Sequence, residues 1–226
     1  MRNPLLRTTN VLNGLFYEFV VVTESDADRA FYQEINERML EMSPPAGIPN
    51  CLFLNAQNKQ TERTIVAPLR KLGIPTAFVV DIDVVKDGGQ EFTSLLCSAN
   101  VPEPLHDAFA SMRGAVKSAF LATGRNMKID GGIALLQGAE KESALGLFSQ
   151  LAEYGVFVVP GGEVESWLSC LKVGGHGPPW LVAMFERMGE NPSLPDYIRP
   201  ADGDVWKFIG CIRKWLMDGN RKGIPG

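Results

Sequence analysis

The chain of 226 residues is long enough for one sizeable domain, and its 45% hydrophobic and 21% charged residues are ordinary for a globular protein. Its formal net charge of −4 lacks the basic excess typical of nucleic-acid-binding domains, although a site for divalent cations is acidic by necessity. The first residues, MRNPLLRTTN, lack a signal-peptide pattern, and no apolar run approaches the ~20 residues of a membrane span, so we expect a cytoplasmic protein with no membrane partner.

Three apolar segments near the start of the chain predict three buried strands. They are residues 16–23 (FYEFVVVT), 50–54 (NCLFL) and 75–80 (PTAFVV). Between them, apolar residues recur at helical spacing over 30–40, and a second helical segment closes at Gly73. Strand, helix, strand, helix and strand within about 65 residues predict an α/β fold with parallel strands and right-handed crossovers.

The middle of the chain has a different pattern, because strand signals are scarce and helical periodicity dominates from residue 87 to residue 152. We interpret this segment as a helical insertion. The segment YGVFVVPGGEVESWLSCL then restores a strand, a glycine turn and a helix that begins near Glu165. The predicted parts are an α/β core of residues 16–86 and 153–172, the insertion of 87–152, and a C-terminal helical extension of 173–226.

Acidic side chains follow three of the predicted strands at the point where each strand ends. They are Glu24 and Asp28 after the first strand, Asp81 and Asp83 after the third, and Glu163 and Glu165 after the last. Ligands of parallel α/β sheets bind beyond the carboxyl ends of the strands, so we expect these acids to share one edge. Oxygen-rich, sulfur-free ligation selects Mg²⁺, Mn²⁺ or Ca²⁺. Two such ions could clamp the attacking and leaving oxygens of a phosphodiester.

The spacing of the acids supports convergence but also allows a simpler interpretation. Glu24 and Asp28 are four residues apart, so they face the same side if Asp28 lies on the first helical turn. Asp81 and Asp83 point the same way if their backbone is extended. An acid after a strand is often only a helix N-cap, as we expect for Asp26, and a lone D-x-D motif is weak. Three clusters at equivalent strand ends are more specific.

The acidic motifs resemble those of a known family. VVTESDADRAFY is similar to the glutamate motif, and FVVDIDV to the D-x-D motif, of the Toprim domain of topoisomerases, primases and related nucleases. The helical insertion and VVPGGEVESWL narrow the resemblance to the C-terminal half of overcoming-lysogenisation-defect (OLD) family nucleases, class 2. The resemblance implies a DNA endonuclease that uses two divalent cations, Mg²⁺ or Mn²⁺, with Ca²⁺ as a non-catalytic substitute.

The resemblance also implies roles for individual residues. The implied metal ligands are Glu24, Asp28, Asp81, Asp83, Glu163, Glu165 and Ser166, of which Glu24, Asp81 and Asp83 are also catalytic. The family uses a lysine late in the chain to stabilise charge on the phosphate. Lys222 is the first choice for that lysine and Lys207 the second, with a solvated position open for both.

The resemblance departs from the family in one respect. OLD proteins carry an ATPase domain ahead of the Toprim half, but this sequence contains no G-x-x-x-x-G-K-[ST] loop. Either the chain is an excised C-terminal fragment, which its start just before the first strand favours, or the relationship is looser. As a fragment it could be monomeric, with dimerisation left to the ATPase domain of the full-length protein.

Two other functions stay open. DIDVV also resembles the nucleophile loop of haloacid-dehalogenase-type phosphatases, in which Asp81 would attack phosphorus and Glu24 would have no role. The third candidate is a non-catalytic Toprim-like module that binds nucleic acid and merely retains the acids. Calorimetric metal binding without cleavage of DNA would indicate this module.

Some residues outside the acidic motifs have weaker signals. Lys59 follows the second strand and could touch phosphate, although a solvated loop lysine is the simpler interpretation. His176 stands in a glycine-rich turn with no role assigned. A basic run that could face DNA, or simply form a wet helix face, comprises Arg113, Lys117, Arg125 and Lys128. Buried free thiols are expected at Cys51, Cys97, Cys170 and Cys211, and core positions at Trp167, Trp180, Trp206 and Trp215.

Overall fold

Four short strands form one all-parallel sheet in the computed structural model, which describes residues 11–56 and 59–224. The strands are β1 (Phe19–Thr23), β2 (Cys51–Asn55), β3 (Thr76–Val80) and β4 (Val156–Val158). Their order across the sheet is β2-β1-β3-β4. Residue Val20 of β1 pairs with Leu52 on one side and with Thr76 on the other, and Phe78 of β3 pairs with Val156. The predicted α/β class with a parallel sheet is confirmed.

Seven α-helices surround the sheet in the described part of the chain. They are α1 (Asp26–Leu40), α2 (Lys59–Lys71), α3 (Gln90–Ser98), α4 (His106–Ala122), α5 (Gly138–Glu153), α6 (Gly177–Met188) and α7 (Asp204–Met217). Short 3-10 turns occupy Val11–Phe16, Ile82–Val85, Glu103–Leu105, Gly132–Leu135, Val164–Ser166 and Ser169–Leu171. Among the described residues, no helix combines the length and the apolar character needed to cross a membrane.

The side chains of the strands alternate between two apolar cores, as the pleat of a strand requires. Val20 and Val22 of β1 pack into one core, and Val21 packs into the other. Helices α2, α3, α4 and α5 cover the first face of the sheet, whereas α1, α6 and α7 cover the second. The helices of residues 87–152 therefore share a core with the sheet, and the helices after residue 173 close its opposite face.

Several local predictions need correction. The helix expected near Glu165 is only the 3-10 turn Val164–Ser166, and the next α-helix, α6, begins at Gly177. The cysteines are free, but Cys51 is only partly buried against the core and Cys97, Cys170 and Cys211 are exposed. The prediction for the tryptophans is confirmed, since all four are at most 7% exposed: Trp167, Trp180, Trp206 and Trp215.

Candidate metal centre

Three carboxylates meet at the carboxyl edge of the sheet. Glu24 follows the end of β1, and Asp81 follows the end of the neighbouring strand β3. One carboxylate oxygen from each of Glu24, Asp81 and Asp83 lies within 4.8 Å of the others. The backbone N–H of Asp81 donates a hydrogen bond to Glu24 Oε1 at 3.2 Å, which fixes the two motifs against each other. This group could hold a metal ion, because all of its donors are the oxygens that hard cations prefer.

The backbone that brings Asp83 beside Asp81 is not the predicted extended one. Asp81 itself is extended, but the chain turns at once into the 3-10 helix Ile82–Val85. Ile82 is wholly buried in the core, and the tight turn brings Asp83 close to Asp81 and Glu24 at the strand end. The expected convergence is therefore present, but it is produced by a turn and not by the alternation of a strand.

A second group lies beyond β4. One ligand atom from each of Glu163, Glu165 and His176 lies within 4.8 Å of the others. His176 Nδ1 is 2.8 Å from Glu165 Oε1 and 3.8 Å from Glu163 Oε1. The 3-10 turn Val164–Ser166 puts both acids on one side, and His176 is the residue immediately before α6. The backbone N–H of Gly177 also donates to Glu165 Oε1 at 2.9 Å.

The turn that carries Glu165 is anchored from below by aromatic residues. Trp167 follows the turn directly, and its Nε1–H donates to the buried Tyr32 hydroxyl at 2.9 Å. Tyr32 lies on α1, the helix that begins just after Glu24. Burial, followed by the charge of Asp28, raises the pKa of Tyr32 well above its ordinary value. The hydrogen bond thus ties the elements after β1 and β4 together beneath the acids.

Lys128 connects the two groups. Its Nζ is 2.7 Å from Asp81 Oδ2 and 3.7 Å from Glu163 Oε2. Burial alone would lower the pKa of Lys128, but its hydrogen bond with Asp81 and the charges of Asp81, Asp83 and Glu24 outweigh burial and raise it. The Lys128 side chain is 29% exposed, so it lies at the border between the acids and solvent.

Lys128 comes from the irregular segment between α4 and α5, and tight backbone packing positions that segment. Ile133 N–H donates to Pro160 O at 2.8 Å, and Ile82 N–H donates to Gly162 O at 2.9 Å. Gly162 has a φ of +124°, and a Cβ there would lie 2.0 Å from Lys128 O. Only glycine fits this close approach, so the PGGE segment holds the lysine segment directly against the site.

Burial makes two of these acids harder to ionise than exposed carboxyls. Burial raises the pKa of Asp81 to about 6, with smaller contributions from Asp28 and Asp83, even though Lys128 opposes the shift. The pKa of Glu163 is also raised, first by burial and then by Glu165. Ionisation of these carboxyls is therefore unfavourable in the metal-free protein, and a bound cation would relieve that penalty.

Asp28 lies near the acids but already has a structural role. Ser25, and not Asp26 as predicted, is the N-cap of α1. The Asp28 backbone N–H donates to Ser25 Oγ at 3.1 Å, and Asp28 Oδ2 accepts from Ser25 N–H at 3.0 Å, which forms a capping box. Asp26 instead pairs with Arg29 on the surface at 2.7 Å. Burial, and to a lesser degree the charge of Glu165, raises the pKa of Asp28, so it belongs to the same acidic surroundings without joining either three-residue group.

Three residues expected from the resemblance take other places. The Ser166 hydroxyl donates to Glu163 O at 2.6 Å, which closes its own turn. Lys222 pairs with Glu153, just before β4 and hence at the amino edge of the sheet, away from the acids. Lys207 is exposed on α7 and lines a cavity that faces α5. Lys222 is far from Lys128 because parallel strands put their two ends on opposite edges of the sheet, whereas the cavity beside Lys207 is lined by Val158, Pro160 and Trp167.

Each of the other basic residues of the predicted DNA-facing run has a partner outside the two acidic groups. Arg113 donates to Val85 O at 3.1 Å and Lys117 donates to Lys86 O at 3.3 Å, so both tie α4 to the segment that follows Asp83. Arg125 lies 3.6 Å from Asp130 in a surface pair. The side chain of Lys59 lies outside the described residues.

Sequence reasoning therefore underrated two residues of the site. It placed Lys128 only in a basic run, and it gave His176 no role. The signals that could have found them are glycine pairs: Gly131-Gly132 follow Lys128 closely, and Gly174-Gly175 precede His176. Such pairs permit close backbone approach, but they do not say to which surface.

No protein-family model, curated protein or solved structure matches this chain. Fold and site together define a parallel α/β protein with a carboxylate group that could hold a metal ion.

Proposed function

We propose that this chain is a metal-dependent DNA endonuclease of the Toprim type, related to the C-terminal half of OLD family nucleases. The observation that carries the proposal is the arrangement at the carboxyl edge. One group, Glu24, Asp81 and Asp83, lies on one side of a lysine, and Glu163 lies on the other side at 3.7 Å from the same Nζ. Each acidic group would hold a divalent cation, and a phosphodiester could bind between the two cations. Lys128 lies between the groups and would add a third positive charge next to the phosphate.

The protein residues fit a pair of divalent ions. Glu24, Asp81 and Asp83 would hold one ion, and Glu163 and Glu165 would hold the other. When bound, Mg²⁺ or Mn²⁺ would supply Lewis-acid activation of water and neutralise charge on the phosphate, whereas Ca²⁺ would bind without supporting cleavage. The raised pKa of Asp81 means that its negative charge is poorly stabilised by the protein, and a bound cation would stabilise it.

Lys128 takes the role that the resemblance gives to a late lysine. Without substrate, its ammonium group donates to Asp81 Oδ2 at 2.7 Å and thereby keeps two like-charged groups together. A cation at Asp81 would compete with that bond and free the ammonium group to donate to a phosphate oxygen. Because such a donor is worth most when charge builds on the phosphate, Lys128 would stabilise the transition state more than the ground state.

Glu24 separates the nuclease proposal from the phosphatase alternative. The phosphatase scheme uses Asp81 as a nucleophile and leaves Glu24 idle. Here Glu24 Oε1 accepts the hydrogen bond from Asp81 N–H and belongs to the same ligand group. This arrangement favours metal binding by both residues over attack by one of them.

The test is cleavage of supercoiled plasmid, with Mg²⁺ or Mn²⁺, by the parent chain and by Glu24→Gln, Asp81→Asn and Lys128→Met. Each substitution removes one charged group of the site, so we expect at least about a 100-fold loss of rate. Asp107→Asn, at an exposed acid on α4, is the matched control and should cut normally.

Three outcomes distinguish the candidates. Unchanged cutting by Asp81→Asn would refute the proposal. Metal binding by calorimetry without cleavage of supercoiled, linear or single-stranded DNA would identify a non-catalytic binding module. Hydrolysis of p-nitrophenyl phosphate with a phosphorylated Asp81 would identify the phosphatase.

A further inference from the structure

We infer that Glu163, Glu165 and His176 form a binding site that selects a divalent first-row transition metal, such as Mn²⁺ or Zn²⁺, over Mg²⁺ and Ca²⁺. The inference extends the proposed function and rests on it in one respect: this ion would be the second of the two divalent ions. The imidazole as a metal ligand is the new element, because neither the sequence motifs nor the resemblance gave His176 any part in the site.

The geometry of the three side chains is that of a site with one open side. His176 Nδ1 lies 2.8 Å from Glu165 Oε1 and 3.8 Å from Glu163 Oε1, and all three ligand atoms lie within 4.8 Å of one another. The two acids are only 12% and 11% exposed, whereas His176 is 74% exposed. The acids thus form the floor of the site, and the imidazole covers it from the solvent side.

An unsatisfied oxygen provides a second, independent observation. Glu165 Oε2 is buried and has no hydrogen-bond partner, although Oε1 of the same carboxylate accepts from Gly177 N–H. A buried carboxylate oxygen without a donor is costly and rare in native structures. A cation bound by both oxygens of this carboxylate would supply the missing partner.

The two carboxylate oxygens of Glu163 have different neighbours. Its Oε2 is 3.7 Å from Lys128 Nζ, and its Oε1 is 3.8 Å from His176 Nδ1. The Lys128 ammonium group therefore lies beside Asp81 and Glu163 Oε2, whereas Glu163 Oε1 faces His176. A metal ion at His176 would complete the neutralisation of this carboxylate.

The donor chemistry decides which ion the site selects. Imidazole nitrogen is a ligand for Mn²⁺ through Zn²⁺, with affinity that rises from Mn²⁺ to Cu²⁺ and falls again at Zn²⁺, but it is a poor ligand for Mg²⁺ and Ca²⁺. The other group has only carboxylate oxygens and suits Mg²⁺, Mn²⁺ and Ca²⁺ alike. The all-carboxylate group and the group that contains His176 should therefore differ in metal selectivity.

A purely structural role for the same contacts makes a different prediction. His176 precedes α6, and Glu165 accepts from the first N–H of that helix, so the pair could simply anchor the helix start. An anchor would lose stability on substitution but would show no change in metal affinity. Binding measurements separate the two roles.

The experiment follows Mn²⁺ binding by the loss of the free-ion electron paramagnetic resonance signal. The proteins are the parent chain, His176→Asn and the matched control His106→Asn, which alters the only other histidine; His106 lies at the start of α4, bonded to Val101 O. We expect two Mn²⁺ ions in the parent, with excess Mg²⁺ displacing one of them. His176→Asn should weaken the Mg²⁺-resistant ion at least about tenfold, while His106→Asn should leave both ions unchanged.

Two further measurements keep the inference separate from the nuclease proposal. Glu24→Gln should lose the Mg²⁺-sensitive ion and keep the other one. Zn²⁺ should shift the ring ¹⁵N resonances of His176 and not those of His106. Equal Mn²⁺ binding by the parent and His176→Asn, or displacement of both ions by Mg²⁺, would overturn the inference while leaving the test of cleavage by Asp81→Asn untouched. Conversely, a histidine-dependent Mn²⁺ site in a protein that cuts no DNA would support the inference and refute only the nuclease.

Discussion

The two edges of the sheet bury charge in opposite ways. At the amino edge, Arg70 of α2 has no exposed surface, yet its guanidinium donates to Thr76 O at 2.9 Å, Ala99 O at 2.8 Å and Gly223 O at 3.1 Å. At the carboxyl edge, Asp81 is 13% exposed and receives one lysine that it shares with Glu163. One buried charge is enclosed by fixed partners, and the other is left short of them.

This difference distinguishes a structural charge from a functional one. Burial lowers the pKa of Arg70, to about 9, but its carbonyl partners keep it charged at neutral pH, and the rings of Phe78 and Trp215 enclose it at 4.9 and 5.0 Å. No ligand is needed to complete that arrangement. At the carboxyl edge burial raises the pKa of Asp81 even though Lys128 opposes the shift, so a bound cation would stabilise its charge further.

The largest effect on stability should come from the amino edge. Replacing Arg70 with Met would remove the guanidinium donor from the buried carbonyls of Thr76 and Ala99, while Gly223 O would keep its hydrogen bond from Asn100 Nδ2–H at 2.8 Å. We expect the free energy of unfolding to fall by about 3–5 kcal/mol, as when one partner of a buried polar network is removed. Urea denaturation followed by circular dichroism measures this loss.

The control for this prediction is Arg29 on α1, whose guanidinium pairs with Asp26 at 2.7 Å on the surface. Arg29→Met should cost less than about 1 kcal/mol, because exposed ion pairs contribute little. If the two substitutions destabilise the protein equally, the distinction between an enclosed charge and a solvated one is wrong for this edge.

The next largest effect tests how the carboxyl edge is held together. An alanine at Gly162 would need both a strongly unfavourable φ of +124° and space now occupied by Lys128 O, 2.0 Å from the new Cβ. We expect Gly162→Ala to cost about 2–4 kcal/mol and to displace Lys128 from Asp81. Urea denaturation reports the cost, and the nicking assay reports the displacement.

Gly124 provides the matched glycine. It also has a positive φ, of +66°, but a Cβ there meets nothing within 4 Å. Gly124→Ala should therefore cost only about 1 kcal/mol and leave nicking unchanged. If Gly162→Ala behaves in the same way, the close contact between the two segments does not position the lysine.

The sequence predicted the parts of the site that lie next to strands. Glu24 and Asp81 follow buried runs in register, so the rule that parallel strands end at one edge was enough to place them together. The continuous apolar runs of β1 and β3 likewise predicted buried strands of the sheet. These features depend on local pattern and on one general rule of topology.

The parts that the sequence did not predict come from loops. Lys128 and His176 reach the site through contacts between segments that are far apart in the chain, such as Ile133 N–H to Pro160 O. No periodicity encodes such contacts. The prediction of Lys222 has a related weakness: its place was inferred from order along the chain, but the structure puts it beside Glu153 at the other edge.

The smallest effect is a pH dependence that belongs to the carboxyl edge alone. Burial raises the pKa of Asp81 to about 6, so between pH 4 and pH 6 the folded metal-free protein binds more protons than the unfolded chain. Its stability must therefore fall as pH rises through this window and return on acidification. For Asp81 alone we expect a gain of about 1 kcal/mol from pH 7 to pH 5, measured by urea denaturation in the presence of a chelator.

Asp81→Asn should remove that part of the pH dependence, whereas Asp107→Asn at an exposed position should keep it. Added Mn²⁺ at pH 7 should stabilise the parent chain more than Asp81→Asn, because only a ligand that binds the folded state raises its stability. The contradicting result is a free energy of unfolding that changes with pH in the same way in the metal-free parent chain and in Asp81→Asn. It would show that fixed partners within the protein already neutralise Asp81. In that case the contrast between the two edges would disappear, since the acids, like Arg70, would be enclosed by fixed partners.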